Sequence, residues 1–169
     1  MNSSITPLIQ QLAQTMLAKG FKIALAESCT GGLLAAYLTS LAGSSDWFER
    51  GFITYSNQAK EECIGVPKEL IERYGAVSEE VAKAMAEGAL NHSLAQISVA
   101  ITGIAGPGGG SSNKPIGMVC FAWGLRVDDQ IQTRAQTKHF SGDRQRIREQ
   151  ACVYAIELLL AQLTAGESR

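Results

Sequence analysis

The segment AESCTGG, Ala26 to Gly32, sets three potential nucleophiles side by side: Ser28, Cys29 and Thr30. The stretch before it, Lys22-Ile23-Ala24-Leu25-Ala26, is apolar enough for a buried strand. The glycines after it open GGLLAAYLTSL, whose apolar spacing is helical. A residue at such a joint projects from the carboxyl edge of a sheet, beside the free N–H groups of the helix's first turn. That placement suits acyl transfer, in which a hydroxyl or thiol attacks and the amides stabilise the oxyanion. It is not the GxSxG elbow, because Ala26 stands at the first glycine's position. The plainer alternative is that Ser28 or Thr30 only caps the helix.

A serine nucleophile needs a base. The chain has two histidines. His92 falls late in an amphipathic stretch and reads as surface, and His139 lies in a strand candidate. Neither has an orienting carboxylate close by in sequence, so a Ser-His-Asp triad is not expected. A lysine can replace histidine once burial has lowered its pKa to yield the neutral amine. Lys60 is the candidate, in TYSNQAKEECIG, with Tyr55, Ser56 and Asn57 before it. A solvated lysine paired to Glu61 or Glu62 is the competing reading. A third feature is ITGIAGPGGG, Ile101 to Gly110, a glycine loop after an apolar run. Such a loop can lay amides around an anion. It fits neither GxGxxG nor a P-loop, and an ordinary crossover explains it equally well.

The elements that must position these residues alternate in type. Thr6-Pro7 reads as the cap and first position of a helix that stops at Gly20. Strands are expected at Phe21 to Ala26, Phe48 to Tyr55 and Ile97 to Thr102. Short helices are expected at Asn57 to Cys63 and Lys68 to Tyr74, parted at Pro67. A longer helix follows Ser78 as cap, with Glu79 and Glu80 in its first turn. Gly117 to Leu125 and Ile131 to Phe140 read as paired strands with a turn at Asp128-Asp129. A helix from about Asp143 to Leu163 closes the chain. The expected fold is α/β, one three-layer domain over residues 1–169 with a mixed sheet and helices on both faces.

A chain of 169 residues with 46% hydrophobic and 18% charged content has the makeup of a globular domain. Its net charge of −1 gives no broad basic field for nucleic acid. The N-terminal stretch lacks the pattern of a signal peptide, and no run reaches transmembrane length, so a cytoplasmic protein with no membrane partner is expected. The four cysteines form no CxxC pair. Neither a metal site nor disulfides are expected, and Cys63, Cys120 and Cys152 read as buried small hydrophobes.

Taken together, AESCTGG, GFITYSNQAKEECIGV, YGAVSEEVAKAMAEGA, AITGIAGPGGG with KPIGMVCFAWG, and FSGDRQRIREQA resemble the CinA C-terminal family, in the family's order and over nearly the whole chain. Active members of that family are nicotinamide-nucleotide amidases. The resemblance implies a Ser/Lys amidohydrolase that deamidates nicotinamide mononucleotide for NAD recycling, with no metal and no cofactor. Ser28 matches its nucleophile, Lys60 its base and Tyr55 the tyrosine assisting that pair. Thr30, Gly31, Thr102, Gly103, Ala105 and Gly106 fall at substrate-lining positions. Arg144 matches the arginine for the anionic substrate, with Arg146 and Arg148 as neighbours able to take that role. In this reading the amides at the start of the Gly31 helix hold the oxyanion. Glu27 pairs with a nearby cation or has a role left open. The resemblance also implies the stand-alone form, without the molybdopterin-binding-like domain of full-length CinA, and a homo-oligomer is expected. Two other readings stay open: a cysteine hydrolase through Cys29, and a non-catalytic module associated with competence and DNA damage.

Overall fold

The computed structural model describes residues 5–165. Five strands form one sheet in the order β2-β1-β3-β4-β5. Strands β1 (Ile23–Glu27), β2 (Phe48–Ile53) and β3 (Ile97–Gly103) are parallel. Strands β4 (Met118–Val127) and β5 (Gln130–His139) complete it as an antiparallel hairpin on β3. Asp128 and Asp129 make the two-residue hairpin turn, both with positive φ, 49° and 63°. That is the primed turn whose twist matches the strands.

Helices cover both faces. α1 (Ile5–Lys19), α2 (Leu33–Thr39) and α6 (Arg144–Thr164) bury Ile9, Leu12, Met16, Leu34, Leu38 and Leu159 on one face, against Ile23, Leu25, Val99, Ile101 and Phe121. On the other, α5 (Glu79–Asn91), with α3 (Asn57–Ile64) and α4 (Lys68–Tyr74) beside it, packs on Ala24, Ala26, Ala100 and Ala122. The period-2 alternation of the strands sorts these two sets. Alanines on the second face let α5 lie close. The α/β fold with a mixed sheet covered on both faces is as the sequence indicates.

Local signals account for most element ends. Ser78 accepts from Val81 N at 3.3 Å, and Asp143 accepts from Arg146 N at 2.9 Å, so both act as caps. Gly20 takes φ +65° just after α1. Two readings need correction. α1 already includes Ile5, so Thr6 lies inside the helix and is not its cap. Cys63 is exposed while Cys29, Cys120 and Cys152 are buried, because α3 turns Lys60 and Ile64, not Cys63, inward. No described helix is long and apolar enough to cross a membrane.

The topology fixes where a site can form. From β1 the chain passes over one face to β2, then over the opposite face to β3. The crevice at the carboxyl ends of the neighbouring strands β1 and β2 lies between these departures, where α/β sheets bind ligands. The loops after β1, β2 and β3 all open there.

Candidate active site

Strand alternation separates two neighbours at the end of β1. Glu27 faces α2, and Ser28, its amide still paired to Ile101 O at 2.9 Å, falls on the side of α3. Gly31 and Gly32 follow with φ +58° and +95°, left-handed angles that only glycine adopts without strain, and the chain folds straight back into α2.

On the other side, Ser56 caps α3 by accepting from Ala59 N at 3.0 Å, which aims the helix's first turn at the sheet edge. Lys60 is thereby carried inward and is 1% exposed. Its Nζ lies 3.0 Å from Ser28 Oγ, 2.7 Å from Thr54 O and 3.3 Å from Tyr55 O. No carboxylate among the described residues pairs with it, so the solvated-lysine reading does not hold. Burial, opposed only weakly by Cys29, lowers its pKa to about 8. A neutral amine has two hydrogens and one lone pair. The two carbonyls account for the hydrogens, and the lone pair is left for the Ser28 hydroxyl.

Cys29 differs from its neighbour in every relevant respect. It packs in the core beneath α6, and burial pushes its thiol up to about 12, far from a thiolate. Thr30 is fully buried, its hydroxyl unpartnered like that of Thr54. Neither Ser28 nor Thr30 caps α2 through its side chain. Glu27 does so, accepting from the amides of Gly32 at 3.1 Å, Leu34 at 3.1 Å and Ala35 at 2.8 Å. It meets the helix's partial positive charge, and among the described residues no Lys or Arg forms an ion pair with it. This overturns the ion-pair reading of Glu27. It also overturns the oxyanion hole expected at the start of the Gly31 helix, since those amides are already occupied.

The remaining expected residues divide. Thr102 is buried and donates its hydroxyl to Ala76 O at 2.8 Å. Gly103 allows β3 and β4 to close, as a Cβ there would lie 2.8 Å from Val119 Cγ2. Ala105 sits in the core. Gly106 O accepts from Arg144 Nη1 at 2.8 Å, and Arg144 Nη2 donates to Tyr55 Oη at 3.0 Å. Tyr55 is 57% exposed, so its hydroxyl serves Arg144 while only its carbonyl reaches Lys60. Tyr55, expected to assist the Ser/Lys pair, meets Lys60 through its carbonyl. Arg144 keeps three N–H groups for a ligand. Arg148 does not share that freedom: its Nε donates to Cys29 O at 3.2 Å, its Nη2 to Thr30 O at 2.9 Å and its Nη1 to Gln145 Oε1 at 3.2 Å.

A buried lysine thus lies against a serine at the switch point of an α/β sheet. The CinA C-terminal domain family matches residues 5–163. The chain belongs to this family. It is 48% identical over 161 residues to nicotinamide-nucleotide amidohydrolase PncC of Escherichia coli, covering 95% of this chain and 96% of the relative. It is 49% identical over 154 residues to a CinA-like protein of Syntrophobacter fumaroxidans, of which it spans 35%. The crystal structure of the competence/damage inducible protein CihA from Agrobacterium tumefaciens superposes with a TM-score of 0.88 at 41% identity, over 95% of this chain and 96% of that one.

Sequence reasoning passed over Glu27 as a helix cap, Arg148 as a clamp and the carbonyls of Thr54 and Tyr55. A carboxylate closing a wholly buried strand, just before two glycines and a helix, was the available signal for the first. For the second, Arg148 follows Arg144 by four residues and so shares its helix face.

Proposed function

We propose that this protein hydrolyses the carboxamide of nicotinamide mononucleotide, giving nicotinate mononucleotide and ammonia, with Ser28 as nucleophile and Lys60 as base. The observation that carries this reading is the 3.0 Å contact between Lys60 Nζ and Ser28 Oγ, with two carbonyls fixing the amine's hydrogens. The near full-length similarity to an enzyme named for that substrate supports it.

In this mechanism Lys60 takes the Ser28 proton as Oγ bonds to the amide carbon. The ammonium so formed returns the proton to the departing nitrogen, ammonia leaves, and an ester to Ser28 remains. Lys60, neutral again, draws a proton from water as the water oxygen attacks the ester. It then passes that proton to Ser28 Oγ as the acyl–oxygen bond breaks, restoring the serine and the neutral amine and freeing the acid, which ionises to the carboxylate. Arg144, exposed at the mouth with unspent donors, binds the 5′-phosphate, and the glycine loop supplies further amides. Thr30, Gly31, Thr102, Gly103, Ala105 and Gly106 shape the cleft mainly through backbone and packing. The product re-enters NAD synthesis, in the cytoplasm.

Ammonia release from nicotinamide mononucleotide, measured for wild type and Ser28→Ala, tests the reading. Ammonia from the wild type alone is expected. No release from the wild type would overturn the proposal in favour of a non-catalytic module.

A further inference from the structure

The turn that carries Ser28 has few amides to spare. Ser28 N donates to Ile101 O at 2.9 Å, Gly31 N to Ser28 O at 3.0 Å and Leu33 N to Thr30 O at 3.0 Å. Gly32, Leu34 and Ala35 donate to Glu27. Between Ser28 and Ala35, the Thr30 amide is left without an acceptor among the described residues, whereas that of Cys29 faces its own thiol sulfur. The Thr30 amide follows the nucleophile by two residues, in the turn that a tetrahedral oxygen on Ser28 would face.

Arg148 grips the opposite side of the same peptides. In a trans peptide the N–H points away from the C=O of the same unit. The Cys29 carbonyl faces the Arg148 Nε from α6, so the Thr30 N–H in that unit is turned the other way, away from α6. The hold on Thr30 O stops the turn from rotating. A cation on the carbonyl oxygen also polarises the amide, making its N–H a stronger donor.

We propose that Arg148 is a positioning residue for the oxyanion hole: through the Cys29 and Thr30 carbonyls it aims the Thr30 amide at the oxygen that becomes negative during attack. This rests on the Ser28/Lys60 reading. Arg148 acts on the turn and not on substrate, so its loss should slow the chemistry and leave binding intact.

The test compares Arg148→Met and Arg148→Lys with wild type and Ser28→Ala, measuring kcat and KM on nicotinamide mononucleotide across pH. Removal of one oxyanion donor typically lowers kcat by about 10²-fold, and a fall of that order is expected for Arg148→Met. KM should stay within about threefold and the acid limb of kcat/KM should not move. Arg148→Lys, able to reach one carbonyl with a single point donor, should fall between. It decides the matter alone if the methionine variant does not fold. A raised KM at unchanged kcat would make Arg148 a substrate ligand and overturn the proposal. Unchanged kinetics, or a displaced acid limb, would overturn it too. If Ser28→Ala proves as active as wild type, the underlying reading falls; if Ser28→Ala is dead and Arg148→Met fully active, only the positioning role does.

Discussion

The turn after β1 and the glycine loop after β3 open on the same crevice but are held in opposite ways. Around Ser28, Glu27 grips the helix amides from within and Arg148 the carbonyls from outside, and Ser28 itself is only 8% exposed. Beyond Gly106, residues 107–113 are all exposed. That loop is tied at its base by Ile104 N to Met118 O and Gly117 N to Ile104 O, and farther out by Lys114 to Tyr74 O. On the proposed function, the difference separates two tasks. Bond-making needs positions fixed to fractions of an ångström, whereas gripping a charged group at the mouth tolerates adjustment. Changes in the turn should therefore appear in kcat, and changes around the loop and Arg144 in KM.

The largest effect is expected at Ser28. Ser28→Ala should lose roughly 10³-fold or more in kcat with the fold intact. If its activity survived, the turn would be no more catalytic than the loop. Lys60 comes next. Its amine must be neutral to accept the proton, so kcat/KM should rise about tenfold per pH unit and level off near pH 8. Lys60→Arg keeps the charge and loses the neutral form, so it should be close to inactive at every pH. A flat wild-type profile between pH 6 and 8 would remove the general-base role.

Arg144→Ala probes the other half of the comparison. It should cost ten- to a hundredfold in kcat/KM on the mononucleotide, as roughly 1.5–3 kcal/mol for a charge-assisted contact implies. The loss should fall in KM, and cleavage of nicotinamide riboside should hardly change. Equal losses on both substrates would deny Arg144 the phosphate. Cys29→Ala should have the smallest effect, within about twofold, and the wild type should resist iodoacetamide at pH 8, since burial holds the thiol near 12. Rapid inactivation by alkylation at Cys29 would move the chemistry to sulfur.

Much of this was legible in the chain. Apolar runs ending in small residues located β1 and β3, the Asp-Asp pair located the hairpin, and Ser78 and Asp143 announced their helices. These are local signals, read within a few residues. The pairing of Ser28 with Lys60 came from the resemblance and from the shortage of histidine, since contacts 32 residues apart leave no local trace. What stayed hidden was how the buried polar groups divide their partners. Glu27, Arg148 and the Thr54 carbonyl bond backbone atoms, which carry no side-chain signature. One contact, from Arg148 to Cys29 O, spans 119 residues. At Tyr55 it is the backbone carbonyl that meets the lysine.

Burying Lys60 also couples the working state of the site to the stability of the whole fold. The amine titrates near 8 in the folded chain and near 10.5 when unfolded, so the unfolded chain binds the proton more tightly. Between those values the unfolded state carries the extra proton and stability climbs with pH. Below about 8 the advantage is gone, a difference on the order of 3 kcal/mol. In thermal melts the wild type should therefore gain several degrees on Lys60→Met as pH rises from about 8 to 10.5. On the proposed mechanism, the proton that disarms the base is the same one that loosens the fold, and its departure restores both at once.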